Sequence, residues 1–267
     1  MSITRCLAPR EDTAHYEVSG TSRSPLRSPE MLLPLRRRTG RVTDLRHYSG
    51  GSCLPRHRHL RAYAAVVLAG DFVEAGDRGR HRLEAGKVVF HHPFEAHRDE
   101  FGRRGAVVLD LPLGRCPELT TGEVDALDVV VRLARNDPEA AAALLLDEVR
   151  PAELDLDDWP DTLAQALAAE PDLCLETWAE RNGLSPQTLS RGFRQAYGTT
   201  AKRFRAEHRA QRALRTLPGW TETLGDLAAE LGFADQAHLT RAVVSLTGWT
   251  PGQLRAKWIQ DRSLAAG

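Results

Sequence analysis

The chain predicts an α+β protein. A small antiparallel β-barrel with two following helices precedes an all-α domain of two helix-turn-helix units joined by a linking helix. Three observations predict this. Short apolar runs punctuated by glycine fill residues 41–113, a spacing that suits antiparallel strands. From Asp161 onward, apolar residues recur at helical spacing with short connections. A segment near the C-terminus occurs twice, offset by 49 residues at Ala179 and Ala228 and by 50 from Leu189 and Leu239 onward.

Composition sets the outer limits. At 267 residues, with 42% hydrophobic and 27% charged residues, the chain can build two ordinary cores. The longest uncharged apolar stretch, Ala62–Gly70, is too short to span a bilayer. No apolar segment of signal-peptide type opens the chain, so a cytoplasmic location is expected. Cys6, Cys53, Cys116 and Cys174 show no Cys-x-x-Cys spacing. Neither a disulfide framework nor a cysteine zinc site is expected.

Residues 1–30 are rich in Ser, Pro, Arg and Thr and read as a mobile tail. Residues 31–117 form the β domain. Arg41–Tyr48 alternates, Gly50-Gly51 turns, and Leu60–Leu68 is apolar. Gly70-Asp71, Gly76-Asp77 and Gly86 punctuate, and 87–90 and 106–111 are further strands. Residues 118–150 form a helical pair. Thr120–Glu123 has the pattern of a capping box, and Val124, Leu127, Val130, Val131 and Ala134 follow at helical spacing. Asp137-Pro138 opens a second helix through Leu144, Leu145 and Val149. These helices either cover the sheet or pair between subunits; dimerisation is the preferred reading. Residues 151–160, acidic and bounded by prolines, read as a linker.

Histidines stand out in the β domain. His57 and His59 are two apart, on one face of a strand. With His97 they can present three neutral nitrogens to a transition metal such as zinc. Of His91 and His92, at most one faces inward, because neighbours on a strand point to opposite faces. In these residues the sequence resembles the cupin fold over residues 40–113, through His57-x-His59 and through Gly86 followed by His97. Tyr63 stands where the cupin pattern has glutamate, and His92 and Phe94 where it has proline and glycine. The resemblance implies a ligand pocket at His57, His59, Tyr63 and His97. The missing carboxylate weakens the metal reading and, with it, that of a metal-dependent cupin enzyme.

Residues 161–262 carry the repeat. Gly183 and Gly232 suit the left-handed residue that closes a helix, and Ser185-Pro186 suits an N-cap followed by a first-turn proline. Each copy is a helix-turn-helix, whose second helix can enter a DNA major groove. Leu189 and Phe193, and Leu239 and Val243, are spaced to form each buried stripe. That leaves Gln187, Thr188, Ser190, Arg191 and Arg194 on the reading side of one helix. Gln236, Ala237, His238, Thr240 and Arg241 occupy the same side of the other. Arginine reads guanine through two parallel hydrogen bonds, and glutamine can read adenine similarly. The chain is neutral overall, yet eight basic residues against Glu207 alone lie between Gln187 and Thr216, a footprint for phosphates. Arg203, Arg205 and Arg212 are phosphate or packing candidates.

The segment from Asp161 to Trp258 resembles the DNA-binding domain of the AraC/XylS transcription regulators. Ala179, Gly183, Ser185-Pro186, Leu189, Ser190-Arg191, Phe193 and Gly198 match in the first unit, and Arg209, Ala213 and Leu217 in the linking helix. Leu227-Ala228, Leu231-Gly232-Phe233, Leu239, Arg241, Thr247-Gly248, Pro251 and Arg255 match in the second. Ala201 replaces a usual proline and Val243 a usual phenylalanine. The resemblance implies a transcription regulator, more often an activator. Its partners would be double-stranded DNA, RNA polymerase, a small-molecule effector bound in the β domain and a second copy of the chain. A metal-sensing regulator using His57, His59 and His97 is the alternative.

Overall fold

The computed structural model describes residues 44–152, 157–170 and 172–257; the tail at 1–30 lies outside the described residues. Strands β1 (Asp44–Tyr48), β2 (Cys53–Arg58), β3 (Tyr63–Gly76), β4 (Gly79–Glu84), β5 (Lys87–His91), β6 (Ala96–Pro112), β7 (Thr121–Glu123) and β8 (Arg150–Pro151) form one eight-stranded antiparallel sheet. The long strands β3 and β6 pair with each other, and each changes its second partner midway. β3 runs beside β5 and then β4, while β6 runs beside β2 and then β1. These exchanges, with register shifts at Val67/Ala69 and Gly70/Phe72, curl the sheet. The break expected at Gly70-Asp71 is therefore a bulge inside one strand. Gly70 has φ +75°, and a Cβ there would lie 1.9 Å from the Gly105 carbonyl oxygen, so no other residue fits.

Both faces of the sheet are buried, which explains the uninterrupted apolar run. On β3, Ala65 and Val67 pack inside the curl with Phe72, Leu83, Val89, Phe101 and Val108. Ala64 and Val66 face outward, against Phe90, Leu109 and Leu111 and the helices α1 (Leu127–Ala134) and α2 (Pro138–Glu148). Val130, Ala134, Ala141 and Leu145 complete that outer core. The inward faces of the helical pair therefore cover the sheet. Thr120–Glu123 does not cap α1: Thr121–Glu123 is strand β7, paired with β5 and β8. The ladder satisfies its backbone groups, and α1 begins after Ala126 without a side-chain cap. Asp137 caps α2 as expected, accepting from the Ala140 amide.

The connection between the domains is shorter than 151–160, since β8 ends at Pro151 and α3 starts at Trp159. Six helices follow: α3 (Trp159–Ala169), α4 (Leu175–Arg181), α5 (Pro186–Tyr197), α6 (Ala201–Thr216), α7 (Leu224–Glu230) and α8 (Gln236–Thr247); residues 251–257 are also helical. They build two cores. Leu163, Leu167, Trp178, Leu189, Phe193, Tyr197 and Phe204 fill the first, together with Ala75 from β3. Ala213, Leu217, Leu227, Phe233, Leu239, Val243 and Leu254 fill the second. Cys116 and Cys174 are free thiols.

Candidate functional site: two reader helices and a histidine cluster

The two copies fold alike for the reasons the repeat supplies. Gly183 (φ +65°) and Gly232 (φ +70°) end the first helix of each unit in the left-handed region. Ser185 caps α5 by accepting from the Thr188 amide, and Asp235 caps α8 by accepting from the His238 amide. Gly198 and Gly248 close the two second helices. Leu189 and Phe193, and Leu239 and Val243, are buried as their spacing predicts.

The opposite faces are turned outward. Gln187, Ser190, Arg191 and Arg194 on α5 are exposed, as are Gln236, Ala237 and Arg241 on α8, while Thr188, His238 and Thr240 are half-buried. Two of these are already engaged within the protein. The Thr188 hydroxyl lies 2.9 Å from that of Ser185, and the His238 ring packs edge-on against Phe233. The linking helix α6 contains 16 residues, about 24 Å of rod at ~1.5 Å per residue. The substitution at Ala201 is offset by Thr200, which accepts from the Arg203 amide and caps the helix.

The basic residues of α6 divide by role. Arg205 donates to the Leu173 carbonyl at 2.8 Å, and Arg209 to the Gly232 carbonyl at 2.7 Å. These two hold the units together. Arg203 pairs with Glu207 at 3.0 Å, and Arg212 is half-buried. The phosphate footprint is therefore smaller than the sequence count implies: Arg191 and Arg194 on α5 and Lys202, Arg203 and Arg215 on α6 remain exposed.

The β domain gathers the histidines. His57 and His97 are directly opposed across β2 and β6, with ring centroids 4.3 Å apart. His59 stacks 5.4 Å from His97, and Tyr63 donates or accepts at 3.1 Å from His97 Nε2. The ligating atoms of His57, His59 and His97 lie within 4.8 Å of one another. His57 Nδ1–H donates to the Pro55 carbonyl at 2.9 Å, which directs coordination to Nε2. His59 Nε2 is buried without a hydrogen-bond partner. Burial, aided by the neighbouring His97 and His57, pulls the His59 pKa down to about 2, so it presents a neutral ring. These residues fit a metal bound through imidazole nitrogens. His91 faces inward and His92 does not share its burial, as strand alternation requires.

Sequence reasoning missed the carboxylates. Glu74 on β3 is 3% exposed, and its Oε2 lies 3.4 Å from both His91 Nε2 and His97 Nδ1. Asp99 Oδ1 accepts from His97 Nδ1 at 3.1 Å. Burial opposes a charge on His97, but Asp99 and Glu74 outweigh it and raise the His97 pKa well above its ordinary value. A carboxylate therefore does stand beside His97, on another part of β3. The signal was a lone acid in the apolar run Phe72-Val73-Glu74-Ala75, on the same strand face as buried Phe72.

Also missed was the seam between the barrel and the first helix-turn-helix unit. His57, on β2, and His59, just after it, alternate with Arg56 and Arg58. Both arginines reach Glu207 on α6, each at 3.1 Å. Arg56 also pairs with Asp77, which accepts from Gln211 of α6 and from the Ala96 amide. Arg98 of β6 donates to the Gln195 carbonyl of α5. Arg80 of β4 and the Tyr197 hydroxyl both bond Asp161, at 2.9 and 2.8 Å.

A match to the family of helix-turn-helix domains covers residues 178–257. Among solved structures, the chain is similar to the C-terminal domain of AraT, a response regulator from Geobacillus stearothermophilus. Identity is 24% over 39% of this chain and 88% of that one, with a TM-score of 0.36. It is similar to unsaturated fatty acid-bound ToxT from Vibrio cholerae strain SCE256, at 8% identity over 79% and 93% and a TM-score of 0.37. Part of it is similar to salicylate 1,2-dioxygenase from Pseudaminobacter salicylatoxidans, at 14% identity over 26% of this chain and 20% of that one, with a TM-score of 0.25. No curated protein matches. Residues 178–257 are thus similar to a helix-turn-helix domain.

Proposed function

We propose that this protein is a sequence-specific DNA-binding transcription regulator, with the β domain as its sensor. The observation that carries the reading is the duplicated unit: two capped second helices, each buried through one stripe and exposing an arginine-bearing face. Those faces differ, so one chain reads an asymmetric site through major-groove contacts about one DNA turn, or ~34 Å, apart. Genome-wide mapping of bound DNA tests this. The expected result is an enriched motif with two unlike half-sites; enrichment without a motif would refute it.

A small effector in the pocket of His57, His59, Tyr63 and His97 would act through β2. Inward histidines and outward arginines alternate there, so a ligand that re-seats the strand moves the side chains clasping Glu207. The ligand must bind one arrangement more tightly than the other to shift anything. The second reading, a metal-sensing regulator, is favoured by the donor chemistry: the fixed His57 tautomer and the unpartnered His59 Nε2. Zinc or a chelator should then change DNA affinity in the parent protein but not in His57→Ala. Its partners on this reading are DNA, RNA polymerase as an activator's target, and a second copy of the chain in the cytoplasm. Val129 on α1 and Leu146 on α2 remain exposed, at 39% and 36%, which supports the helical pair as the contact between copies. No enzymatic activity is proposed.

A further inference from the structure

Beside the histidine cluster lies a small cavity. Glu74, His81, His91 and His97 line it, together with Asp77 and Glu95. It has about 10 Å³ of room, enough for one water-sized particle. All three of Glu74, His91 and His97 are buried, and their ligand atoms lie within 4.8 Å of one another. The strand register explains the convergence. Glu74 stands opposite Asp99 on β6 and opposite His81 on β4, and Tyr63 stands opposite His91. All these positions point into the curl.

We infer that Glu74, His91 and His97 form a site for a divalent transition metal of the zinc class, separate from the His57–His59 side of the pocket. Three observations support it. First, the spacing suits coordination better than hydrogen bonding. Glu74 Oε2 is 3.4 Å from His91 Nε2 and 3.4 Å from His97 Nδ1. Two donors each ~2.0–2.1 Å from a tetrahedral zinc stand roughly 3.4 Å apart. Second, His91 Nε2 is buried and makes no hydrogen bond despite that proximity, and both nitrogens of buried His81 beside it are also without partners. Buried polar atoms ordinarily have partners, so an ion at this point would account for the most awkward of them. Third, charge favours a dication. Glu74 and Asp99 are both buried, at 3% and 4% exposure, and buried carboxylates need positive charge beside them.

The donor set of two imidazoles and one carboxylate is one that zinc accepts. Asp99, whose Oδ1 lies 3.1 Å from His97 Nδ1, is placed to be the fourth donor. On binding, the metal replaces the His97 Nδ1 proton, and that proton passes to solvent. His97 Nε2–H then donates to the Tyr63 hydroxyl at 3.1 Å, the outer contact that orients a ligating histidine. The inference does not depend on the DNA-binding reading. It differs from the His57, His59 and His97 arrangement by turning the other ring nitrogen of His97 to the metal.

The test uses full-length protein stripped with a chelator and then titrated with zinc against a chromophoric competitor. Cobalt(II) substitution provides a spectrum. The parent should bind one zinc per chain and give the d–d bands of a four-coordinate cobalt site. Glu74→Gln and His91→Gln should each weaken zinc binding by tenfold or more and alter the cobalt spectrum, while His59→Gln leaves both unchanged. Circular dichroism checks folding, and if Glu74→Gln does not fold, His91→Gln carries the same expectation. Loss of zinc in His59→Gln with retention in His91→Gln would place the ion on the other side of the pocket and overturn the inference. Absence of zinc binding by the parent would also overturn it.

Discussion

Arg56 and Glu207 lie 3.1 Å apart although 151 positions separate them in the chain. The pair joins β2, the strand that carries His57 and leads into His59, to α6, the helix that sets the spacing of the two reader helices. Arg56 is buried, with a side-chain exposure of 8%, and Phe204 packs beneath its guanidinium. A buried arginine needs its carboxylates. It has two, Asp77 and Glu207, and Glu207 serves Arg58 and Arg203 as well.

Removing Glu207 should therefore loosen the seam without unfolding the barrel, since Asp77 still holds Arg56. Glu207→Ala should lower stability by ~1–3 kcal/mol in urea denaturation, and Glu207→Gln should recover part of that by keeping an acceptor. If the seam couples the pocket to the reader helices, Glu207→Ala should also change DNA affinity with no residue of either reading face altered. Unchanged stability in Glu207→Ala would show that the contact contributes nothing.

His208 gives the seam a pH dependence. It is buried on α6 among Asp77, Arg56 and Arg215, and burial is the main cause of its lowered pKa, with Asp77 opposing and the arginines adding. The folded protein thus favours the neutral ring, while the unfolded chain takes up a proton near pH ~6.5. The stability this supplies is complete above that pH and is lost as pH falls below it. His97, whose pKa is raised, works in the opposite sense, so the comparison must be between parent and variant. Between pH 7.5 and 5.5, His208→Gln should lose less thermal stability than the parent. Equal losses would place the acid sensitivity elsewhere.

The two units should differ in their tolerance of core truncation. Phe193 is fully buried and stacks on Tyr197, with centroids 4.8 Å apart, and edge-on against Phe204. Phe193→Ala should cost ~3–5 kcal/mol. Val243 holds the equivalent place in the second unit with a smaller side chain, so Val243→Ala should cost less. Denaturation of the two variants under one condition checks the order.

Much of this was legible in the sequence because it is local. Helix caps at Ser185 and Asp137, closing glycines at 183 and 232, and the four-residue spacing of Leu189 and Phe193 are all fixed by residues within a few positions of each other. The curled sheet was legible as a class from its alternation and glycines, but the one-strand path through Gly70 was not, because a bulge and a turn share the same glycine signal. Thr120–Glu123 was misread for a similar reason: a capping pattern has no force where a neighbouring strand already claims the backbone. Glu74, Asp99 and the Arg56–Glu207 seam were missed because their partners come from distant strands and helices. Only the register that places Glu74 opposite both His81 and Asp99 makes their meeting visible.

The central claim is that α5 and α8 read two unlike half-sites on one DNA face. Hydroxyl-radical and base-methylation footprinting of the parent, Arg191→Ala and Arg241→Ala on a mapped site tests it most directly. The parent should protect two segments about one turn apart. Each variant should lose base protection at one segment only, at a cost of ~1–3 kcal/mol in affinity. Protection of a single segment by the parent, or variants that leave both segments and the affinity unchanged, would contradict it.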